Sequence, residues 1–314
     1  MVVWPIKKKQ EPGWLAVLLH PDRIDLAHVR RDGGMPRVTL CESFRKDGSE
    51  REALARLRKE LHIERYRCTT LLNADEYQLH QVEAPAVPAD ELKTAVRWRV
   101  KDLIDYPIEA AAVDVLDIPV DAGGAGRTRS VYAVTAPGSA VTQRAQLFGD
   151  SAIPLEVIDL PELAQRNVGT LFEPENRGVG LLAFDNAGGL LTVTYRGELY
   201  AYRRIETPLS RLTDAPVEQR TQLLERIGLE LQRTLDNVDR QYGFISLAKL
   251  LLASVPAEIG LAEYLAQNLY VPVEACDLTQ VLDLSAIPEL REPLRQAQCL
   301  QVIGAALRDE RVAA

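Results

Sequence analysis

The sequence contains one strand pattern twice, with the two copies about 165 residues apart. The first copy covers residues 14–44 and the second covers residues 179–206. Each has an apolar strand, a polar turn, an alternating strand, a turn that contains glycine, and a third strand. The alternating positions are Ile24, Leu26 and His28 in the first copy and Leu191, Val193 and Tyr195 in the second. Alternating strands bounded by such turns predict β-hairpins, and their recurrence predicts two related lobes.

A duplicated α/β fold with this order of elements is the actin and sugar-kinase type. In that type, the first turn of each lobe cradles the phosphates of a nucleotide. Helical patterns fill the chain between the copies and after the second one. The clearest are residues 50–61 and the long stretch from about 217 to 242, in which apolar residues recur every three or four positions.

Charge and hydropathy restrict the class of protein. The 314 residues carry a net charge of −8, which disfavours a dedicated nucleic-acid binder because such proteins usually present a strongly basic patch. The apolar runs are far shorter than the roughly 20 residues that cross a bilayer. The N-terminus places Lys7–Lys9 after its short apolar start, the wrong order for an export signal. We therefore predict a cytoplasmic protein without a transmembrane span.

The stretch AVRWRVKDLIDYP, residues 95–107, predicts an amphipathic helix with one unusual residue. Val96, Val100, Leu103 and Ile104 share one face, whereas Trp98 falls among charged residues on the opposite face. Asp90 is the predicted N-cap. Three interpretations of Trp98 remain open: it packs against a neighbouring subdomain, it covers the sheet of its own subdomain, or it lines a groove for a partner.

Several segments, taken in chain order, resemble the PilM-like family of type IV pilus assembly proteins. They are VPADELKTAVRWRVKDLIDYPIEAAAVDVL, LEVIDLPELAQRN, LERIGLELQRTLDNVDRQYG and the closing VIGAALR. The wording RWRVKDLIDYP is most similar to the MSHA-pilus branch of that family. The resemblance covers essentially the whole chain, and it implies an FtsA-related, actin-like (ribonuclease-H-like) two-lobe α/β fold with an inserted subdomain in the first lobe.

The resemblance also implies a division of the chain. The predicted parts are a flexible tail over 1–12, a first lobe over 13–174 (core 13–44 and 131–174, inserted subdomain about 45–130), and a second lobe over 175–314 (helical subdomain about 211–248, closing helix 293–308).

Family members of this type are cytoplasmic and bind the short N-terminal tail of a bitopic inner-membrane protein, PilN in the parent system. The resemblance therefore implies a scaffold that is peripheral to the inner membrane through its partner, and it leaves open a contact with the pilus assembly motor. Tryptophan and arginine are enriched in interface hot spots. The predicted partner-binding residues are Arg97, Trp98, Lys101 and Tyr106.

PilM-type proteins bind ATP between their lobes, and this chain departs from their pattern in two of three loops. The aspartate and glycine of the first turn are replaced by Leu19 and Pro21, and proline has no N–H to donate. The glycines of the third loop are replaced by residues 253–256, Ala-Ser-Val-Pro. We therefore expect weak or absent ATP binding and no hydrolysis.

The second turn keeps part of the phosphate-binding pattern. The candidate cofactor-binding residues are Asp185, Gly188, Gly189 and Thr192, which would hold MgATP if any nucleotide binds. The alternative is an ordinary tight hairpin turn, which Asn-Ala-Gly-Gly also favours. Residues 123–130, GGAGRTRS, lack the glycine and lysine of a P-loop and predict a hairpin loop.

Other catalytic and metal-binding templates do not occur in the chain. There is no G-x-S-x-G, H-E-x-x-H or G-x-G-x-x-G, and the four cysteines form no C-x-x-C. The sequence therefore favours a non-catalytic adaptor. An active actin-like ATPase, supported by the turn at Asp185, is the alternative. A secretion-system cytoplasmic domain of the GspL type is disfavoured, because such proteins normally continue into a transmembrane helix.

Overall fold

The computed structural model describes residues 10–120 and 129–309 of the chain. The strands are β1 Trp14–Leu19, β2 Arg23–Arg30, β3 Arg37–Arg45, β4 Arg67–Leu71, β5 Gln78–Glu83, β6 Ala111–Ile118, β7 Ser130–Pro137, β8 Leu155–Asp159, β9 Gly178–Asp185, β10 Gly188–Tyr195, β11 Glu198–Ile205, β12 Leu247–Leu252 and β13 Val273–Ala275. The α-helices are α1 Glu50–Leu61, α2 Ala89–Arg99, α3 Gly138–Asp150, α4 Pro161–Gly169, α5 Leu209–Asp214, α6 Val217–Gln241, α7 Leu261–Asn268 and α8 Pro293–Ala306. Apart from residues 10–12 and 129–130, the predicted tail and the GGAGRTRS loop lie outside the described residues.

Two five-stranded sheets are built to the same plan. The first has the order β3-β2-β1-β4-β8, and the second has the order β11-β10-β9-β12-β13. In each, an antiparallel meander is followed by two strands that lie parallel to its first strand. The two predicted meanders are therefore confirmed, and they are equivalent parts of the two halves of a duplicated fold.

The apolar run WLAVLL of β1 follows from burial on both faces of the first sheet. Leu15 and Val17 pack in a cluster with Leu54 of α1 and Phe148 of α3. Ala16 and Leu18, on the opposite face, pack in the cluster that contains α8. A strand covered on both sides has no polar face, so its sequence is continuously apolar rather than alternating.

The helices α4 and α8 lie between the two sheets and touch each other closely. A Cβ added at Gly304 of α8 would lie 2.2 Å from the carbonyl oxygen of Ala164 in α4. The Asn167 side-chain amide donates to the carbonyl of Gly304 at 2.9 Å. The absence of a side chain at residue 304 is thus what allows the two helices to meet at this distance.

The third sheet has the order β5-β7-β6 and is antiparallel throughout. On one face, Val131 and Ala133 pack beneath Val96 of α2 and Val100, the residue that follows the helix. On the other face, side chains of this sheet join a cluster with residues of the second lobe, including Tyr132, Tyr195, Tyr200 and Tyr242. The third sheet therefore lies between α2 and the second lobe.

Chain order and spatial position differ for three elements. The closing helix α8 follows the second sheet in the chain, yet it packs on β1 and β2 of the first. Within the range of about 45–130 predicted for the inserted subdomain, α1 packs on the first sheet and β4 pairs with β1. Where the inserted subdomain begins therefore depends on the pairing of β4 with β1, two strands that are distant in the chain. The first strand of the third sheet is β5.

Two local details of the predicted 95–107 helix are wrong. Pro88 is the N-cap without a side-chain hydrogen bond, and Asp90 lies inside the first turn, where its charge suits the helix dipole. The helix ends at Arg99 and a 3₁₀ turn over Lys101–Leu103 follows. This change of period leaves Leu103 on the surface, 49% exposed, instead of on the buried stripe.

No helix in the described part of the chain is both long enough and apolar enough to cross a membrane.

Candidate functional site

The turn between β1 and β2 is held by the protein's own side chains. The His20 N–H donates to the carbonyl of Arg23 at 2.9 Å, which closes the hairpin. The Lys46 ammonium group donates to the carbonyl of His20 at 3.0 Å and to Glu50 at 2.9 Å. Pro21 has no N–H. The turn therefore offers little of the N–H array that cradles a phosphate.

Beside this turn, Asp25 is buried and carries its charge. Its Oδ2 lies 2.9 Å from Nε2 of His20, and the Arg23 guanidinium donates to both of its oxygens at 3.1 Å. Burial acts to raise the pKa of Asp25, but hydrogen bonds from His20 and Ser43 and the neighbouring positive charges outweigh it, so the pKa falls below its ordinary value. The negative charge of Asp25 is thus balanced by groups of the first lobe itself.

The turn between β9 and β10 is closed by Asp185. Its Oδ1 accepts the N–H of Ala187 at 2.7 Å and the N–H of Gly188 at 3.1 Å. These are N–H groups that a phosphate would need, and the carboxylate occupies them as in an Asx turn. The structure therefore shows a hairpin turn that is closed by its own aspartate.

Packing explains the two glycines of this turn. Gly188 has φ +134°, and a Cβ there would lie 2.4 Å from the carbonyl oxygen of Ile205. A Cβ on Gly189 would lie 2.6 Å from the ring of Phe184. Both positions require glycine because of neighbouring protein atoms.

Thr192 lies inside the second lobe. Its side chain is fully buried, and its hydroxyl oxygen accepts from the Gln165 side-chain amide at 3.2 Å. The same amide nitrogen donates to the carbonyls of Leu181 and Leu190. Thr192 is therefore part of the contact between α4 and the second sheet.

Residues 253–256, the part of the third loop that follows β12, contain no glycine. The N–H of Ala253 donates to the carbonyl of Leu182 at 2.8 Å, which extends the pairing beyond the strand. Pro256 begins a 3₁₀ turn over Ala257–Ile259, and Gly260, at φ +73°, leads into α7. This loop has side chains at each position where glycine would let a nucleotide approach the backbone.

A buried polar network lies between the lobes near the second turn. The carboxylate of Glu162, in the first turn of α4, is fully buried. It accepts hydrogen bonds from the Tyr77 hydroxyl and from Nε and Nη2 of Arg204 on β11, the latter two at 2.9 and 2.7 Å. Arg204 also donates to the carbonyl of Ala74 at 3.0 Å. The network joins the loop after β4, α4 and the second sheet.

Tyrosine hydroxyl groups make a second set of bonds between the third sheet and the second lobe. The Tyr132 hydroxyl donates to the carbonyl of Tyr200 at 2.8 Å, and the Tyr202 hydroxyl donates to the carbonyl of Leu79. The Gln81 amide donates to the Tyr242 hydroxyl at 3.1 Å. Because their hydroxyl groups are satisfied, these rings can lie in a largely buried cluster.

Trp98 lies on the surface of the protein. Its side chain is 60% exposed, while Val96 and Val100 on the opposite side of α2 are fully buried. Two interpretations are therefore wrong, namely packing against another subdomain and covering the sheet of its own subdomain. Arg99 and Lys101, next to it in the chain, are also exposed. We call Trp98, Arg99 and Lys101 the α2 surface.

Two of the predicted partner-binding residues have contacts inside the subdomain. The Arg97 guanidinium donates to the carbonyl of Ile108, which ties α2 to the segment before β6. The Tyr106 ring packs against the cluster beneath α2, and its hydroxyl is buried. Burial raises the pKa of Tyr106. Of the four predicted residues, Trp98 and Lys101 are the exposed ones.

Comparison with known proteins places this geometry in a structural class. No protein-family model and no curated protein matches the chain by sequence. Among solved structures, it is similar to a chain of the PilM–PilN type IV pilus biogenesis complex, with a TM-score of 0.73 and 21% identity over 94% of this chain and 98% of that one. It is also similar to the cytoplasmic domain of EpsL, an inner-membrane component of the type II secretion system of Vibrio cholerae, with a TM-score of 0.50 and 14% identity over 95% and 96%.

The fold is actin-like. The duplicated sheets and the similarity over nearly the whole of both chains confirm the predicted two-lobe α/β fold. A protein of unknown function from Bacteroides thetaiotaomicron, described as having an actin-like ATPase fold, also matches, with a TM-score of 0.47 and 11% identity over 94% of this chain and 99% of that one.

The residues that join the lobes of this actin-like fold were not predicted from the sequence. Glu162 and Arg204 are 42 positions apart in the chain, and Tyr77 is a further 85 positions before Glu162. Each alone is an ordinary residue in a loop, a helix or a strand. The sequence PELAQRNVG contains several polar residues and does not show that this helix is buried; only the structure shows that Glu162 is buried and requires a partner.

Proposed function

We propose that the chain is a non-catalytic scaffold of a type IV pilus assembly machine. It binds the N-terminal cytoplasmic tail of a bitopic, PilN-like inner-membrane protein and is thereby held at that membrane. The observation that carries the proposal is the similarity to a chain of the PilM–PilN complex over 94% of this chain and 98% of the other. The match to the EpsL cytoplasmic domain supports a place beneath an inner-membrane assembly.

The sequence of residues 97–107 supports a narrower assignment within that proposal. RWRVKDLIDYP is most similar to the MSHA-pilus branch of the PilM-like family, so we assign the chain to an MSHA-type machine. A contact with the assembly motor is the expected second interaction. The match to EpsL, a component of a secretion system, supports the GspL-type alternative. Its TM-score of 0.50 is below the 0.73 of the pilus protein, so we favour the pilus machine.

The proposal assigns partner binding to the α2 surface. Trp98 presents a large aromatic side chain to solvent, 60% exposed, on the side opposite the buried Val96 and Val100. Arg99 and Lys101 place positive charge beside it. An apolar side chain and an acidic group of the tail would complement this surface.

The geometry of the turns supports a scaffold without ATP hydrolysis. Asp185 occupies the N–H groups of Ala187 and Gly188, and Pro21 has no N–H in the first turn. The ATPase alternative requires that the Asp185 turn open and present those groups to a phosphate.

The test is a titration of the purified protein with a synthetic peptide that corresponds to the cytoplasmic tail of the PilN-like protein from the same organism. Binding is measured by calorimetry, because this readout does not depend on Trp98 and therefore compares the wild type with a variant that lacks it. We expect Trp98→Ala to weaken binding by about 2 kcal/mol, or roughly thirtyfold, as for an interface hot spot.

The matched control is Tyr270→Ala, which removes a 62% exposed aromatic residue from the second lobe. It should bind the tail as the wild type does. Both variants should keep the wild-type melting temperature, because substitution of exposed side chains changes stability by about 0.5 kcal/mol or less. Equal binding by Trp98→Ala and wild type would refute the assignment to α2, and no binding by either would refute the proposed partner.

A further inference from the structure

The fully buried carboxylate of Glu162 requires the partners that surround it. Moving a lone carboxylate out of water is so costly that the group normally becomes protonated instead. Here Arg204 supplies two charge-assisted hydrogen bonds to Oε1, and Tyr77 supplies one to Oε2. The pair therefore forms as a unit, and either charge alone would be unfavourable at this position.

One guanidinium group joins three segments that are distant in the chain. Arg204 belongs to β11 of the second sheet, Glu162 to α4, and Ala74 and Tyr77 to the loop that leaves the first sheet after β4. The guanidinium carbon also lies 4.9 Å from the centre of the Tyr77 ring. Movement of the second sheet away from this loop would break these contacts together.

Tyr77 acts as a hydrogen-bond donor to Glu162 in this network. Burial and the charge of Glu162 raise the pKa of Tyr77 well above its ordinary value, so the hydroxyl stays protonated. Two further hydrogen bonds join β5 to the second lobe: the Tyr202 hydroxyl donates to the Leu79 carbonyl, and the Gln81 amide donates to the Tyr242 hydroxyl. They add neutral hydrogen bonds to the ionic ones.

We propose that Glu162, Arg204 and Tyr77 form an interlobe latch that holds the two lobes together without a bound ligand. In a fold of two lobes, a ligand bound between them can supply the interactions that keep them closed. This chain supplies those interactions from its own residues. The resting state is then the closed one, and separation of the lobes requires the latch to break. The inference goes beyond the proposed scaffold function and does not depend on which partner binds.

The experiment compares Arg204→Met with Arg203→Met by hydrogen exchange and small-angle X-ray scattering on the full chain. Arg203 is the neighbouring residue on β11; its side chain is 52% exposed and pairs with Glu230 on the surface. Breaking the latch should raise amide exchange about tenfold or more in residues 74–83 and 198–205, the local opening expected for a weakened contact. It should also increase the radius of gyration. Arg203→Met should do neither.

Tyr77→Phe provides a milder variant if Arg204→Met fails to fold. It keeps the ring and the cation–π contact and removes only the hydroxyl group. The latch predicts faster exchange in the same two segments, with β1 and the centre of α6 unchanged. Uniformly faster exchange throughout the chain, or wild-type exchange in both segments, would overturn the proposal, because a merely structural pair changes global stability and not the contact between lobes.

Discussion

Gly188 and Gly189 illustrate at the scale of single residues how one residue type can serve two purposes. Aspartate followed by glycines is what a phosphate-binding turn needs, because glycine lets the backbone approach the ligand. In this chain, the same glycines make room for the carbonyl of Ile205 and the ring of Phe184. The residue identity therefore does not show which neighbour made glycine necessary.

Gly189→Ala tests this explanation. The added Cβ would lie 2.6 Å from the Phe184 ring, so we expect the free energy of unfolding to fall by about 1–3 kcal/mol, as for an overpacked core. Denaturant unfolding measures the change. Gly34→Ala is the control, because nothing lies within 4 Å of its Cβ position. Wild-type stability for Gly189→Ala would mean that packing is not the reason for this glycine.

At the scale of elements, the segment after β13 returns to the first lobe and pairs with the edge strand β3. Val38 donates its N–H to the carbonyl of Asp283 at 3.0 Å, and Asp283 donates its N–H to the carbonyl of Pro36 at 2.9 Å. The Arg37 guanidinium donates to the Asp283 carboxylate at 2.6 Å. This segment covers part of an otherwise open sheet edge.

Asp283→Asn tests the charge at this junction through its pH dependence. Hydrogen bonds from the Ser285 hydroxyl and N–H, and then the Arg37 side chain, lower the pKa of Asp283 to about 2. A lowered folded-state pKa contributes stability that is present above the ordinary carboxyl pKa near 4 and is lost as pH falls toward 2. The difference in melting temperature between wild type and variant should therefore be constant from pH 7 to about 4.5 and shrink below it. A difference that does not change with pH would contradict this assignment.

At the scale of the whole molecule, the two lobes have the same architecture, but the equivalent turns in them are held by different groups. In both sheets, a hairpin turn joins the first two strands of the meander, β1 and β2 in the first sheet and β9 and β10 in the second. In the first turn, the His20 N–H is bonded to the Arg23 carbonyl and Pro21 has no N–H. In the second turn, Asp185 accepts the N–H groups of Ala187 and Gly188. The helices α4 and α8, packed against each other, join the lobes between the sheets.

Calorimetric titration with MgATP tests whether this molecule uses nucleotide. We expect no heat of binding and no shift in melting temperature, because the backbone donors of the second turn are already bonded within the protein. A ligand at one hundred times its Kd would stabilise the fold by about 2.7 kcal/mol, which a melting curve detects. Micromolar binding that Asp185→Ala abolishes would favour the ATPase alternative instead.

The helices and strands were predictable because each depends on residues that are close in sequence. The helix predicted over 50–61 is α1 with the same bounds, since its apolar spacing lies within three turns. The hairpin loop predicted at residues 123–130 follows β6 in the chain, and β6 and β7 pair as antiparallel strands. The predicted end and N-cap of α2 were wrong, because the geometry of a helix terminus can change with a single residue.

The sequence by itself determined the duplicated two-lobe fold, the apolar strands at the centre of each sheet and the amphipathic stripe of α6. Periodicity within a segment encodes which face is buried, and both copies of the meander carry it. Only the tertiary structure decided that Trp98 is exposed, that Asp185 bonds its own turn, and that Glu162 meets Arg204 and Tyr77. Those outcomes depend on atoms that approach across long separations in the chain or on the exact path of a turn, and neither has a local period to read.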